Sequence, residues 1–312
     1  MPVVKTWTTV FGYAVDAEEL MCQVGELWTT GELQARMRGS MHVALDGKWL
    51  RGSVSASAPG TYLLALYWPD EGLVLAQVAI EGKASELEMA PRVLAAVDLH
   101  GVVVTGDALF AQRRLSTQIV AAGGDYLWRV KDNQKRLKEQ IATVFAPQPV
   151  TPGWGTPPNE IERITTPVEK GHWRLEQRTL AVSSILQEYS DWPHLAQVFQ
   201  LGSTITHLTT GKISHTVCYG VTRLPRTVAD PQRLLELIRQ HWEIESGLHY
   251  RRDVTFEEDR CHTRMGHAAQ INAVLNNIAI ACLHHSPAPS LPSARRALDY
   301  AIARRLARVS LT

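Results

Sequence analysis

Apolar and polar positions follow two different rhythms along the chain. Up to about residue 38, apolar residues such as Leu20, Val24, Leu27 and Leu33 recur at helical spacing, which predicts a short amphipathic helical segment. From Met41 the pattern changes to short apolar runs. Residues 41–45 (MHVAL) read as a strand that ends in a turn at Asp46-Gly47. Thr61–Trp68 and Leu73–Ile80 read as two more strands, joined through Pro69-Asp70-Glu71-Gly72 as a hairpin. Residues 86–97 predict a helix, with Pro91 in its first turn or at a bend. A buried strand at 102–105, a helix at 111–122 stopped by Gly123-Gly124, and a strand at 126–130 follow. The order β-β-β-α-β-α-β predicts an α/β fold, a mixed sheet with helices packed on it.

Residues 146–158 (APQPVTPGWGTPP) hold five prolines and two glycines, which excludes regular structure and marks a linker. The stretch from 162 to about 221 then reads as mainly β, with strands expected at 174–182, 195–201 and 216–221. Residues 231–250 predict one long helix with Leu234, Leu237 and Ile238 on one side, and 268–283 a second, apolar helix. After a second linker at 286–293, a last helix carries Arg295, Arg296, Arg304, Arg305 and Arg308.

Composition narrows the function only a little. The chain has 312 residues, 45% of them apolar, enough for one large domain with an insertion or two modest ones. A formal net charge of +1 means that any nucleic-acid surface must come from local clusters. Cys22, Cys218, Cys261 and Cys282 form no CxxC pair, so buried, reduced thiols are expected rather than a disulfide or zinc framework. The N-terminus has no basic leader followed by an apolar run. Residues 271–283 are broken by Asn272, Asn276 and Asn277 and are too short to span a bilayer, so a cytoplasmic protein without a membrane partner is expected.

Candidate chemistry lies in carboxylates. Asp46 and Asp107 each follow an apolar strand, and residues at the ends of adjacent strands converge. Two carboxylates held together repel each other unless a divalent cation lies between them. The alternative is that each only caps a turn. A third carboxylate can come from Glu236, Glu243 or Glu245. His241, Glu245 and His249 are spaced i, i+4, i+8 and share a helix face, which leaves a zinc site, an all-oxygen Mg²⁺ or Mn²⁺ site and a solvated polar face all open.

Three segments resemble the ISAs1-type transposases, a DDE group akin to the IS4-like transposases. They are HVALDGKWLRGS from His42, VVVTGDALFAQRRLSTQIVAAGGDYLWRVKDNQKRL from Val102, and HWEIESGLHYRRDVTFEEDRCHTRMGHAAQINAVLNNIAI from His241. Lesser matches are EKGHWR from Glu169 and DWP from Asp191. The resemblance spans about residues 40–285 and implies an RNase H-like fold with Asp46, Asp107 and Glu245 as catalytic, metal-binding triad. The acids are separated by 61 and 138 residues, and the longer gap holds a mainly β insertion like that of the IS4-like relatives. Trp49, Gly106 and Asp132 depart from residue types usual in the family. The segment before Asp46 is shorter than is typical there.

What the resemblance implies is a DDE transposase that cuts and joins DNA with two Mg²⁺ or Mn²⁺ ions. Its partners would be transposon ends and target DNA, and it would assemble on them as a homodimer in the bacterial cytoplasm, at the nucleoid. An inactive or domesticated DNA-binding remnant, or a related metal-dependent nuclease, are the alternatives. Candidate phosphate contacts are Lys48, Arg51, Arg129, Lys131, Asn133, Gln134, Arg251 and Arg252. Trp128 reads as a core residue before a base-stacking one. The expected division is an N-terminal helical segment (1–40), a catalytic core (41–145 and 229–285) interrupted by the β insertion (146–228), and a basic C-terminal helix (286–312).

Overall fold

A computed structural model describes residues 4–28, 41–54, 60–147, 161–171 and 173–309. The helical position at Leu33, most of the linker 146–158, His172, and the side chains of Arg304, Arg305 and Arg308 lie outside the described residues. In chain order, α1 (Val4–Tyr13) and α2 (Ala17–Trp28) precede β1 (His42–Leu50), β2 (Thr61–Trp68) and β3 (Leu73–Ile80). Then come α3 (Glu86–Ala95), β4 (Val103–Gly106), α4 (Arg113–Ala121), β5 (Asp125–Val130) and α5 (Lys135–Phe145). Strands β6 (Glu162–Thr165), β7 (Glu169–Gly171), β8 (Arg174–Ser183), β9 (Gln197–His207) and β10 (Ile213–Thr222) follow. Helices α6 (Pro231–His241), α7 (Ala268–His284) and α8 (Leu291–Val309) complete the chain. The fold is mixed α/β, with the strands in a ten-stranded mixed sheet flanked by helices, and the predicted β-β-β-α-β-α-β order is observed.

The chain divides into two compact units: Met1–Met37, Val43–Val97 and Trp242–Thr312 form the first, Arg38–His42 and Asp98–His241 the second. In the first unit β1, β2 and β3 form an antiparallel meander. Strand β2 is apolar at nearly every position because it lies between two partners and is covered on its faces; Leu63 to Trp68 are all buried. Met21 and Val24 of α2, Ala44, Ala65, Val74, Ile244, Leu248 and Val274 close one core there. Helix α2 starts where it does because Asp16 Oδ1 accepts the amides of Glu18 and Glu19.

In the second unit β4 and β5 pair in parallel, as a strand–helix–strand connection requires. Strand β10 then pairs antiparallel with β5, and β9, β8 and β6 follow in order. The predicted β segments after the linker therefore extend the β4–β5 sheet. Val103 and Leu127 share one core with Leu180, Phe199 and the Leu234, Leu237 and Ile238 face of α6. Asp230 caps that helix through the Arg233 amide, with Pro231 at its first position.

Two elements differ from expectation near the candidate acids. Strand β1 does not stop at Asp46-Gly47: it runs on to Leu50, in register Asp46↔Ala65 and Lys48↔Leu63. The glycine leaves room for its neighbours, because a Cβ at Gly47 would meet the carboxyl of buried Glu86 and the Tyr62 ring, which would have to shift. The helix predicted over 231–250 ends as an α-helix at His241, and Ile244–His249 continues as wider π-helix. Apolar periodicity cannot distinguish these, because an inserted residue leaves the buried positions Ile244 and Leu248 four apart in sequence.

Candidate active site

In the first unit the strand and the π-helix bring three side chains together. Asp46 comes from β1, and Glu245 and His249, four residues apart, from Ile244–His249. One ligand-type atom from each lies within 4.8 Å of the others. His249 Nδ1 is 3.6 Å from Asp46 Oδ2 and 3.7 Å from Glu245 Oε2. These separations exceed a hydrogen bond. They suit donors around one cation, since bonds of about 2.1 Å place neighbouring ligand atoms roughly 3–4 Å apart.

The His249 ring is buried, and Nε2, the nitrogen that does not face the two carboxylates, has no hydrogen-bond partner among the described residues. Burial pushes the His249 pKa down, opposed by its contact with Glu245, so the ring is held in the neutral form that ligates metal. Two carboxylates and one imidazole accept Mn²⁺ or Zn²⁺ readily and Mg²⁺ through the oxygens. On the same face of β1, Lys48 Nζ reaches Asp253 Oδ2 at 2.6 Å and is largely buried.

Asp107 belongs to the second unit, immediately after β4. Its Oδ1 accepts the Leu109 amide at 2.8 Å, so it caps a short turn, as the bland sequence reading allowed. That turn is held from behind by the segment after β5. Asn133 Nδ2 donates to the Ala108 carbonyl and Gln134 Nε2 donates to that of Ala111. Trp128 is wholly buried, donates to Ser116 Oγ and stacks on Tyr126, as a core residue does.

A second polar group, not anticipated from sequence, lies deep in this unit. Thr105 Oγ1 is 2.7 Å from His42 Nε2 and 3.0 Å from His241 Nδ1, and all three residues are buried. Burial, with His241 and Arg233 adding to it, lowers the His42 pKa to about 3, so His42 is neutral. The i, i+4, i+8 zinc face drawn from the sequence is therefore corrected. His241 bonds Thr105, and Asp46 takes its place beside Glu245 and His249.

The predicted phosphate contacts divide sharply. Arg251 is half-buried near His284 Nδ1, Arg129 is half-buried, and Arg51 and Lys131 are exposed. Arg252 is contradicted as a DNA contact: it is 0% exposed and paired with Glu258 at 2.8 Å. Glu258 also accepts from Asn276, and Gln77 accepts from Arg252 and Asn277. Lys48 is largely buried in its ion pair with Asp253, while exposed Asn133 and half-buried Gln134 each donate to a backbone carbonyl. The cysteines are free, but Cys22 and Cys282 are exposed, not buried as expected. No helix among the described residues is long and apolar enough to cross a membrane.

Comparison with known proteins identifies relatives of this chain. "Putative protein YbfL" of Escherichia coli K12 is 29% identical over 246 residues, covering 76% of this chain and 62% of its own length. "H repeat-associated putative transposase YhhI" of the same strain matches with the same identity and coverage. The chain thus spans about three-fifths of the length of these relatives. A solved piggyBac transposase synaptic complex with hairpin DNA has a TM-score of 0.41 and 10% identity over 90% of this chain and 56% of that one. The family described as Transposase DDE domain matches residues 38–282, and the chain belongs to that family.

Proposed function

We propose that this chain is the catalytic part of a metal-dependent DNA transposase of the ISAs1 type. In this reading Asp46, Asp107 and Glu245 are the triad and His249 is a further ligand. The observation that carries the reading is the gathering of Asp46, Glu245 and His249 from β1 and the π-helix, two elements about 200 residues apart in sequence. A β insertion between the second and third acids accounts for that separation.

Asp46 would be shared by two divalent ions, with Asp107 completing one site and Glu245, with His249, the other. Bound Mg²⁺ or Mn²⁺ supplies activation of an attacking oxygen and stabilisation of the leaving one. The chain's own part is to fix the directions of the carboxylates. The Lys48–Asp253 ion pair, with Lys48 two residues beyond Asp46 on β1, and the Asn133–Gln134 grip on the Asp107 turn do this. No protein nucleophile is required: water serves for strand cleavage and a DNA 3′-hydroxyl for joining. Exposed Arg51 and Lys131, with Arg129 and Arg251, are the cations left for phosphates. A homodimer assembled on paired transposon ends, in the cytoplasm at the nucleoid, fits this activity.

Nicking of supercoiled DNA with Mn²⁺, compared between the wild-type chain and Asp46→Asn, tests the proposal. Metal-dependent nicking that disappears in the variant is expected. Equal nicking by both chains would overturn it, and joining of a labelled 3′-end to a target separates a transposase from a simple nuclease.

A further inference from the structure

Positions four apart line up along the π-helical stretch of the first unit. A π-helix closes its hydrogen bonds from i to i+5, so it turns once in a little over four residues. The π geometry of Ile244–His249 resumes at Arg251–Thr255. Ile244, Leu248 and Arg252 are accordingly all wholly buried and form the stripe that meets the core. The neighbouring stripe is Glu245, His249 and Asp253. Its first two members gather with Asp46 of β1. Its third, Asp253, is held by Lys48, which shares a face of β1 with Asp46. The strand and the π-helix are thus matched twice in the same direction, Asp46 to His249 and Lys48 to Asp253.

Two buried polar atoms on that stripe have no hydrogen-bond partner among the described residues, Nε2 of His249 and Oδ1 of Asp253. Lys48 engages only the other oxygen, Oδ2, at 2.6 Å. A carboxylate oxygen shielded from solvent and left unbonded costs free energy, and so does a ring N–H in the same state. The two atoms are complementary. Nδ1 is turned to the carboxylates of Asp46 and Glu245, so it is the nitrogen that would ligate, and the ring proton then sits on Nε2. Nε2 is a donor, and Asp253 Oδ1 can only accept. A ligating imidazole whose far N–H reaches a carboxylate is fixed in tautomer and direction and is a stronger ligand.

We propose that Asp253 is a positioning residue for His249: its Oδ1 accepts the Nε2–H of the metal-ligating ring through one bridging water, while Lys48 holds its Oδ2. Water is the bridge because neither atom has a direct partner, and two polar groups just beyond hydrogen-bond reach are joined in this way. The strand that presents Asp46 thereby also aims His249, through Lys48 and Asp253. This rests on the reading of His249 as a metal ligand.

The test is a double-variant cycle read by Mn²⁺ affinity, measured by isothermal titration on the full chain. In Asp253→Asn, Lys48 claims the one amide oxygen, and the NH₂ group is left facing Nε2–H, donor against donor. That variant is expected to bind Mn²⁺ about tenfold more weakly. In a His249→Ala background the same substitution should change affinity by less than about twofold, because no ring is left to orient. An ion pair that only stabilised the fold would cost the same in both backgrounds. Equal losses in both, or wild-type affinity in a folded Asp253→Asn chain, would overturn the positioning role and leave the ligand reading intact. A Mn²⁺-soaked crystal of the wild-type chain gives a readout that needs no variant. One water within hydrogen-bond distance of both His249 Nε2 and Asp253 Oδ1 is expected, and manganese bound to His249 without that water would overturn the role as well. Unchanged Mn²⁺ affinity in His249→Ala alone would remove the ligand reading and this proposal with it.

Discussion

His249 Nδ1 faces Asp46 Oδ2 at 3.6 Å, so a buried neutral imidazole looks directly at the carboxylate on β1. Glu245, one turn before His249, stands at a similar distance from the same nitrogen. If His249 is a ligand, replacing it removes one of three donors. His249→Ala is expected to weaken Mn²⁺ binding about 10- to 100-fold without unfolding the chain. Isothermal titration checks the affinity, and loss of the nitrogen coupling in the electron spin echo of bound Mn²⁺ checks the assignment. Unchanged affinity and unchanged coupling would remove His249 from the centre.

Arg252 and Arg51 separate structural from DNA-contacting cations. Arg252 is paired inside the first unit with Glu258 and Gln77, so Arg252→Ala leaves a buried carboxylate uncompensated. A loss of about 3–5 kcal/mol in unfolding free energy is expected, measured in urea. Arg51→Ala should leave stability within about 0.5 kcal/mol and reduce the salt dependence of DNA binding by about one unit of slope. Unchanged unfolding in Arg252→Ala would contradict the buried ion pair.

The turn that carries Asp107 should depend on the amides that hold it. Asn133→Ala and Gln134→Ala each leave a carbonyl, of Ala108 or Ala111, without its side-chain donor. Each is expected to cost about 1 kcal/mol of stability and to slow nicking by more than about tenfold, with DNA affinity nearly unchanged. A loss confined to DNA affinity would return these residues to the phosphate track expected from the sequence.

Stability should fall in acid because of His42. Its folded pKa is lowered to about 3 from an ordinary value near 6.5, so between those values the unfolded chain binds a proton that the folded chain refuses. The stabilisation is complete above about pH 6.5 and is lost progressively as pH drops towards 3, by about 1.4 kcal/mol per unit. Urea unfolding at pH 7 and pH 5 should differ by about 2 kcal/mol from this residue, and His42→Gln should flatten that part of the profile. An equal slope in both chains would contradict it.

Much of this was legible in the sequence, for identifiable reasons. Short apolar runs such as TYLLALYW and long apolar faces such as that of α6 report burial, and burial sets the order of strands and helices. Asp46 and Asp107 stood out because acids directly after apolar runs need a reason to be there, whereas only the family resemblance chose Glu245 over Glu236 and Glu243. The rest turns on close approach that composition does not encode. Gly47 reads as a turn but serves the packing of Glu86 within a continuing strand. A one-residue widening of the helix after His241 leaves its apolar spacing intact. Arg252 reads as a surface cation beside Arg251, and only Glu258 and Gln77, from distant segments, explain its burial. Thr105, a small residue in a strand, gives no sequence signal of its bonds to two histidines.

The central claim is that acids distant in sequence gather around divalent cations. Crystals soaked in Mn²⁺ and measured at the manganese absorption edge test it most directly. The account predicts anomalous peaks within about 2.5 Å of carboxylate oxygens of Asp46 and Glu245 and of a carboxylate oxygen of Asp107, with His249 Nδ1 on the Glu245 side. Manganese bound elsewhere, with none at Asp46, would contradict it.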